Sequence, residues 1–186
     1  MRKYQIRALA YSRFFSELSK HIKADIMRCI NLNYMNYESD KEKMEVALEQ
    51  ARLAYDKDEI PVGAAIFNEN HELIAANHNR RELDQDPTAH AEILTLKSAS
   101  EIYKSWRLED TTLVVTLEPD PMCAGAIVNA RVKRLVYGAP NEKAGSAYSL
   151  YNIPQDKRLN HYTEITDGIL REESEELLTS FFENKR

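Results

Sequence analysis

Two short segments gather the side chains that can do chemistry. The first is Pro87-Thr-Ala-His90-Ala-Glu92, which sets an imidazole and a carboxylate two positions apart at a candidate helix start. With Thr88 as the N-cap, His90 and Glu92 fall in the first helical turn, where a ligand and a proton carrier can face one cavity. Taken alone, the pair is an ordinary surface helix start. The second segment is Glu118-Pro-Asp120-Pro-Met-Cys123, again a turn running into a helix of small residues. A helix N-terminus lowers a thiol's pKa, and the thiolate is the form that binds metal, so Cys123 is a candidate ligand.

Asp120 admits two readings. An Asp followed by Pro makes a good N-cap, with proline at the first helical position. Its carboxylate is also a metal donor: oxygen binds zinc at about 2.0–2.2 Å, sulfur at about 2.3 Å. One carboxylate has two oxygens, so capping and ligation are compatible. Beside Cys123 it keeps the ligand charge at −2, and the expected cost of replacing a thiolate falls on affinity. The residues leave open whether the centre holds metal or has lost it.

The elements that must position these groups follow from periodicity. Ser39-Asp-Lys-Glu42 fits a capping box and starts a helix that Met44, Ala47, Leu48 and Ala51 carry to about Asp56. Segments AAIF and ELIAAN around Asn68-Glu-Asn-His71 read as a β-hairpin, and a polar loop runs from there to Pro87. A helix from Ala89 to about Tyr103, a strand at Thr112–Leu117, a helix at Pro121–Ala130 and a strand at Arg134–Tyr137 follow. A short strand at Tyr162–Thr166 and an amphipathic helix at Glu172–Phe182 complete the chain. The alternation predicts an α/β domain of three layers, a mixed sheet of about five strands with helices on both faces.

Composition narrows the classes. With 186 residues, 43% of them apolar, one domain is expected. No apolar run reaches the roughly 18 residues of a membrane span, so a soluble, cytoplasmic protein without a membrane partner is expected. Cys29 and Cys123 stand in unlike contexts, which argues against a disulfide framework. Residues 1–37 carry seven Lys and Arg against two acidic residues, a net +5, which leaves −10 for the rest of a chain whose total is −5. We therefore expect a basic N-terminal extension at 1–37, dispensable and possessing no ordered role, ahead of a catalytic domain at 38–186. Met35 is a candidate start, and a basic, acid-poor leader would also look like an organelle-targeting peptide.

His-X-Glu followed by Pro-X-X-X-Cys matches the zinc deaminase signature at every place but one. From about Glu38 onward the chain resembles the bacterial tRNA-specific adenosine deaminases of the cytidine deaminase superfamily. The strings that carry the resemblance include Glu59-Ile-Pro-Val-Gly-Ala64, Asn79-Arg80, Asp86-Pro-Thr-Ala-His-Ala-Glu92, Trp106-Arg-Leu-Glu109, Thr116-Leu-Glu-Pro119, Met122-Cys-Ala-Gly-Ala126, Asn160-His161, Ile165-Thr-Asp-Gly-Ile-Leu170 and Phe181-Phe182. The resemblance implies a cytidine deaminase-like fold and conversion of the wobble adenosine of a tRNA anticodon stem-loop to inosine. It implies one Zn2+ per subunit held by His90, Cys123 and position 120, with a fourth position open for water that the ion activates. Glu92 would shuttle protons, Asn79 would bind the extruded base, and two copies would form a homodimer that builds each tRNA site.

Three positions depart from the pattern: Asp120 for cysteine, Asn141 where an acid usually sits near the ribose, and Glu183 after Phe181-Phe182. Asn141 can accept from a 2′-hydroxyl and also donate, which predicts looser discrimination for RNA. One of the two phenylalanines is expected in the core, and Phe182 can stack on an anticodon base. Two alternatives are carried: deamination of a free base or nucleoside such as guanine or cytosine, and a non-catalytic RNA-binding or dimer-partner subunit.

Overall fold

The computed structural model describes residues 36–185; the extension expected at 1–37 falls, up to Met35, outside them. Helix α1 (Asp40–Asp56) begins on the capping box that the sequence announces, with the Ser39 hydroxyl and the Glu42 carboxylate each meeting the other's backbone N–H. Strands β1 (Gly63–Phe67) and β2 (Leu73–His78) form the expected hairpin. Asn68 closes its turn by accepting from the N–H groups of Asn70 and Glu72. Short helix α2 (Arg81–Asp84), α3 (Ala91–Tyr103), β3 (Thr112–Leu117), α4 (Pro121–Asn129), β4 (Arg134–Ala139), β5 (Glu164–Thr166) and α5 (Arg171–Glu183) follow.

The sheet runs in the order β2-β1-β3-β4-β5. Strand β1 pairs antiparallel with β2 and β3, and β3, β4 and β5 are mutually parallel, so the sheet is mixed and five-stranded as expected. Side chains alternate across it, as the strand period of two requires. Ala64 and Ile66, Leu113 and Val115, Leu135 and Tyr137 face one way, against Ala91, Leu96 and Ala99 of α3 and Ile127 of α4. Ala65 and Phe67, Val114 and Val136 face the other way, against Met44, Ala47 and Leu48 of α1. Helix α5 joins α1 on that second face, which completes three layers. Gly63 is needed where α1 crosses β1: a Cβ there would be driven into the Ala47 carbonyl and the Ala51 amide.

Two expectations change. Helix α3 starts at Ala91, with His90 as its N-cap residue in an extended conformation. Thr88 does not cap it, because its hydroxyl and its N–H both donate to Asp86 Oδ1, and the Asp86-Pro-Thr turn that results delays the helix. The polar loop before Pro87 also contains α2, four residues long and too short for any periodic signal. Its frame is the Arg80–Asp84 ion pair at 2.7 Å.

Candidate active site

Parallel strands leave a crevice beyond their carboxyl ends, and the turns that follow them carry the functional groups of such sheets. Here the end of β3 runs through Leu117 and Glu118 into Asp120 and α4, while the end of β4 leads to Asn141. The antiparallel hairpin adds the start of β1 and the end of β2, paired as Gly63 with His78. Together they enclose a cavity of about 440 Å³ lined by Ile60, Val62, Asn79, His90, Glu92, Leu117, Asp120 and Asn141, with Arg81 and Lys143 also contributing. That volume suits a nucleobase-sized ligand.

His90, Asp120 and Cys123 each present one ligand atom, all within 4.8 Å of one another. Nδ1 of His90 lies 3.5 Å from the Cys123 sulfur and 3.6 Å from Asp120 Oδ2. Asp120 is the N-cap of α4: its Oδ1 accepts from the Cys123 N–H at 2.8 Å, and Pro121 follows at the first helical position. The two oxygens thus divide between cap and cluster. An imidazole, a carboxylate and a thiol converging on one point are a donor set that suits a borderline-soft divalent ion such as zinc.

The electrostatics run against one expectation. Burial pushes the Cys123 thiol pKa up, and the charges of Glu92 and Asp120 push it further, so the helix N-terminus does not win. A cation among these donors would offset that cost, because metal ligation requires the thiolate. Glu92, 4% exposed in the first turn of α3, has its pKa raised to about 7, first by burial and then by the charge of Asp120. It therefore stands near the value at which a carboxyl both takes and gives a proton at neutral pH.

Asn79 is buried on the cavity wall, its amide nitrogen bonded to Glu59 Oε2 at 3.1 Å. Asn141 lines the same cavity, but its Oδ1 accepts from the N–H groups of Lys143 and Ala144. The acceptor role read for it from the sequence is therefore turned into the loop. Phe181 is core, packed edge-on against Tyr55 at 5.6 Å. Phe182 is 49% exposed and does not line the cavity of His90; it lines a neighbouring groove that meets that cavity at Ile60.

The sequence reading assigned no role to Glu118. It is buried, and its oxygens accept from the N–H groups of Asn141, Ala147, Tyr148 and Ser149 and from the Ser149 hydroxyl. Burial opposes its ionisation, yet these donors outweigh it and hold the pKa below the ordinary carboxylate value. Glu118 thus ties the loop after β4 to the end of β3. The only sequence signal was its place before Pro119 at a strand end.

The MafB19-like deaminase family model matches residues 38–186, which makes the fold and site those of a deaminase. The tRNA-specific adenosine deaminase of Bacillus subtilis (strain 168) is 44% identical over 147 residues, covering 79% of this chain and 91% of that one. A solved tRNA deaminase studied for A-to-I editing at the wobble position superposes with a TM-score of 0.70 at 40% identity, over 73% of this chain and 98% of its own. The guanine deaminase of Nitrosomonas europaea also reaches 0.70, at 26% identity over 82% and 90%. The chain belongs to the tRNA-specific adenosine deaminase family.

Proposed function

We propose that the protein deaminates the wobble adenosine of a tRNA anticodon stem-loop to inosine, with His90, Asp120 and Cys123 holding one zinc. The observation that carries this reading is the placement of a buried Glu92, pKa about 7, in the same cavity as the three-donor cluster. Zinc, when bound, supplies the Lewis acidity that makes water nucleophilic near neutral pH. The reaction exchanges the exocyclic amine of adenine for oxygen and releases ammonia. Glu92 accepts the proton that the attacking water gives up and passes it to the ring nitrogen. It then takes the remaining proton from the oxygen newly bonded to carbon and delivers it to the amine, which leaves as ammonia while that oxygen becomes the carbonyl. Asn79 orients the base, and the apolar walls at Ile60, Val62 and Leu117 keep bulk water away from the proton path. Arg81 and Lys143 put positive charge on the cavity lining of a net-acidic chain, in reach of a phosphate backbone. No helix among the described residues is long and apolar enough to cross a membrane; the cytoplasmic assignment follows from the tRNA substrate proposed here. A homodimer is supported by the exposed Ile102, Tyr103 and Trp106 at the end of α3 and in the turn after it. We further hold that the domain is residues 38–186 and that the basic extension is dispensable to it.

The test is incubation of the zinc-loaded protein with a synthetic anticodon stem-loop bearing adenosine at the wobble position, with inosine read by mass spectrometry. One inosine per stem-loop is expected, and Glu92→Gln should lose about 10²–10⁴-fold in rate while binding the same zinc. Zinc-loaded wild-type protein that makes no inosine would overturn the reading. Guanine deamination in that sample would favour a free-base enzyme, and stem-loop binding without turnover a non-catalytic subunit.

A further inference from the structure

Glu59 is 1% exposed and belongs to none of the groups assigned above. Both of its oxygens are engaged: Oε2 accepts from Asn79 Nδ2 at 3.1 Å, and Oε1 from the Leu83 backbone N–H at 2.6 Å. Its own N–H donates to the Ala54 carbonyl at 3.0 Å, which seats it on the last turn of α1. Asn79 is fixed from the other side by its N–H bond to the Val62 carbonyl at 2.9 Å, and the next residue, Arg80, donates from its N–H to Ala89 at 3.0 Å. One buried carboxylate thus joins the end of β2, helix α2 and the wall of the cavity.

A carboxylate only accepts, so an amide that faces it must turn its nitrogen toward it. We propose that Glu59 is a positioning residue for substrate recognition. It fixes which way round the Asn79 amide stands, and so which pattern of donor and acceptor that wall offers to a nucleobase. This rests on Asn79 as the base contact, as read above. Glu59→Gln is the informative change because it keeps size and shape. Its single oxygen stays with the shorter bond from Leu83, which turns the new NH2 group toward Asn79. Two NH2 groups cannot pair, so the Asn79 amide turns over and offers the cavity the inverse pattern, with no bond lost.

The experiment is a double-mutant cycle on zinc-loaded protein with the anticodon stem-loop: wild type, Glu59→Gln, Asn79→Ala and the pair. Turnover and stem-loop affinity are both measured. Glu59→Gln should lower kcat/KM by about 10- to 100-fold, the cost of presenting mismatched buried polar groups. Its zinc content and unfolding midpoint should stay near wild type. In the Asn79→Ala background the same change should cost less than about threefold, because its target is gone. An equal loss in both backgrounds would overturn the proposal and assign Glu59 to the fold alone, as would a single variant with full activity. Wild-type protein that forms no inosine would sink the functional reading instead, and the coupling would then be read in affinity.

Discussion

Asp120 is asked to do two things with two oxygens, and substitutions separate them. Oδ1 caps α4 through Cys123 N–H at 2.8 Å, and Oδ2 stands 3.6 Å from His90 Nδ1. Asp120→Asn keeps a capping oxygen and removes the charge; Asp120→Ala removes both. Losing an N-cap costs about 1 kcal/mol, and exchanging Asp for Asn at that position costs almost nothing. In urea unfolding with chelator present, wild type and Asp120→Asn should therefore coincide within about 0.5 kcal/mol, with Asp120→Ala about 1 kcal/mol below them. Zinc at 100 times its dissociation constant stabilises a native state that alone binds it by about 2.7 kcal/mol. Wild type should gain that amount and both variants little. Asp120→Cys, which supplies a second thiolate at the cost of the cap, should gain more from zinc and start lower without it. If Asp120→Asn gains as much from zinc as wild type, Oδ2 is not a ligand and the cluster reading fails, whatever the activity.

Two further outcomes test the frame that holds the site. Asp40 receives two bonds from Arg134, at 2.7 and 2.6 Å, and these chiefly hold its pKa below the ordinary 3.8 against the opposing effect of burial. A depressed folded pKa means stability that is present above the ordinary value and lost as pH falls through the folded one. Asp40→Asn should thus cost about 1–2 kcal/mol at pH 7, with the gap closing as pH falls below 3.8 and through the depressed folded-state value; a gap independent of pH in urea titrations would refute the assignment. Gly63→Ala forces a methyl group into the backbone of α1 and should cost about 1–3 kcal/mol or more. An unchanged unfolding midpoint would show that α1 can lift away from β1.

Much of this was legible in the sequence because it is local. The Ser39–Glu42 box and the Asn68 turn depend on neighbours within a few residues. The two motifs were legible too, since each puts its chemistry at a helix start. What sequence reading missed depends on distant partners. Thr88 looked like a cap until Asp86 was seen to take its hydroxyl and its N–H. Cys123 looked like a low-pKa thiol until burial and two carboxylates were counted. Asn141 looked like an acceptor facing substrate, but the curl of its own loop engages that oxygen. That Phe181 is the phenylalanine in the core, and not merely that one of the pair is, rests on the packing of α5 against Tyr55.

Three buried glutamates around one cavity show how the fold distinguishes a scaffold from a reagent. Glu118 receives donors from four residues of one loop, and its pKa falls below the ordinary value in spite of burial. Such a carboxylate is stably charged and cannot exchange protons at neutral pH, so its contribution is to hold the loop that carries Asn141 and Lys143. Glu59 is likewise engaged at both oxygens, by Asn79 and Leu83. Glu92 is as deeply enclosed, yet only its own backbone N–H and the Cys123 thiol stabilise its charge, while Asp120 opposes it. Desolvation without matching donors is what brings a carboxyl to about 7, in the range where it can carry a proton both ways. The contrast singles out Glu92 by its burial, its few donors and the neighbouring Asp120 charge, independently of the motif it sits in. It also explains why the other two must stay saturated. A donor lost from Glu118 would loosen the loop that carries Asn141 and Lys143, and one lost from Glu59 would free the Asn79 wall, so the proton carrier would no longer sit in a fixed frame.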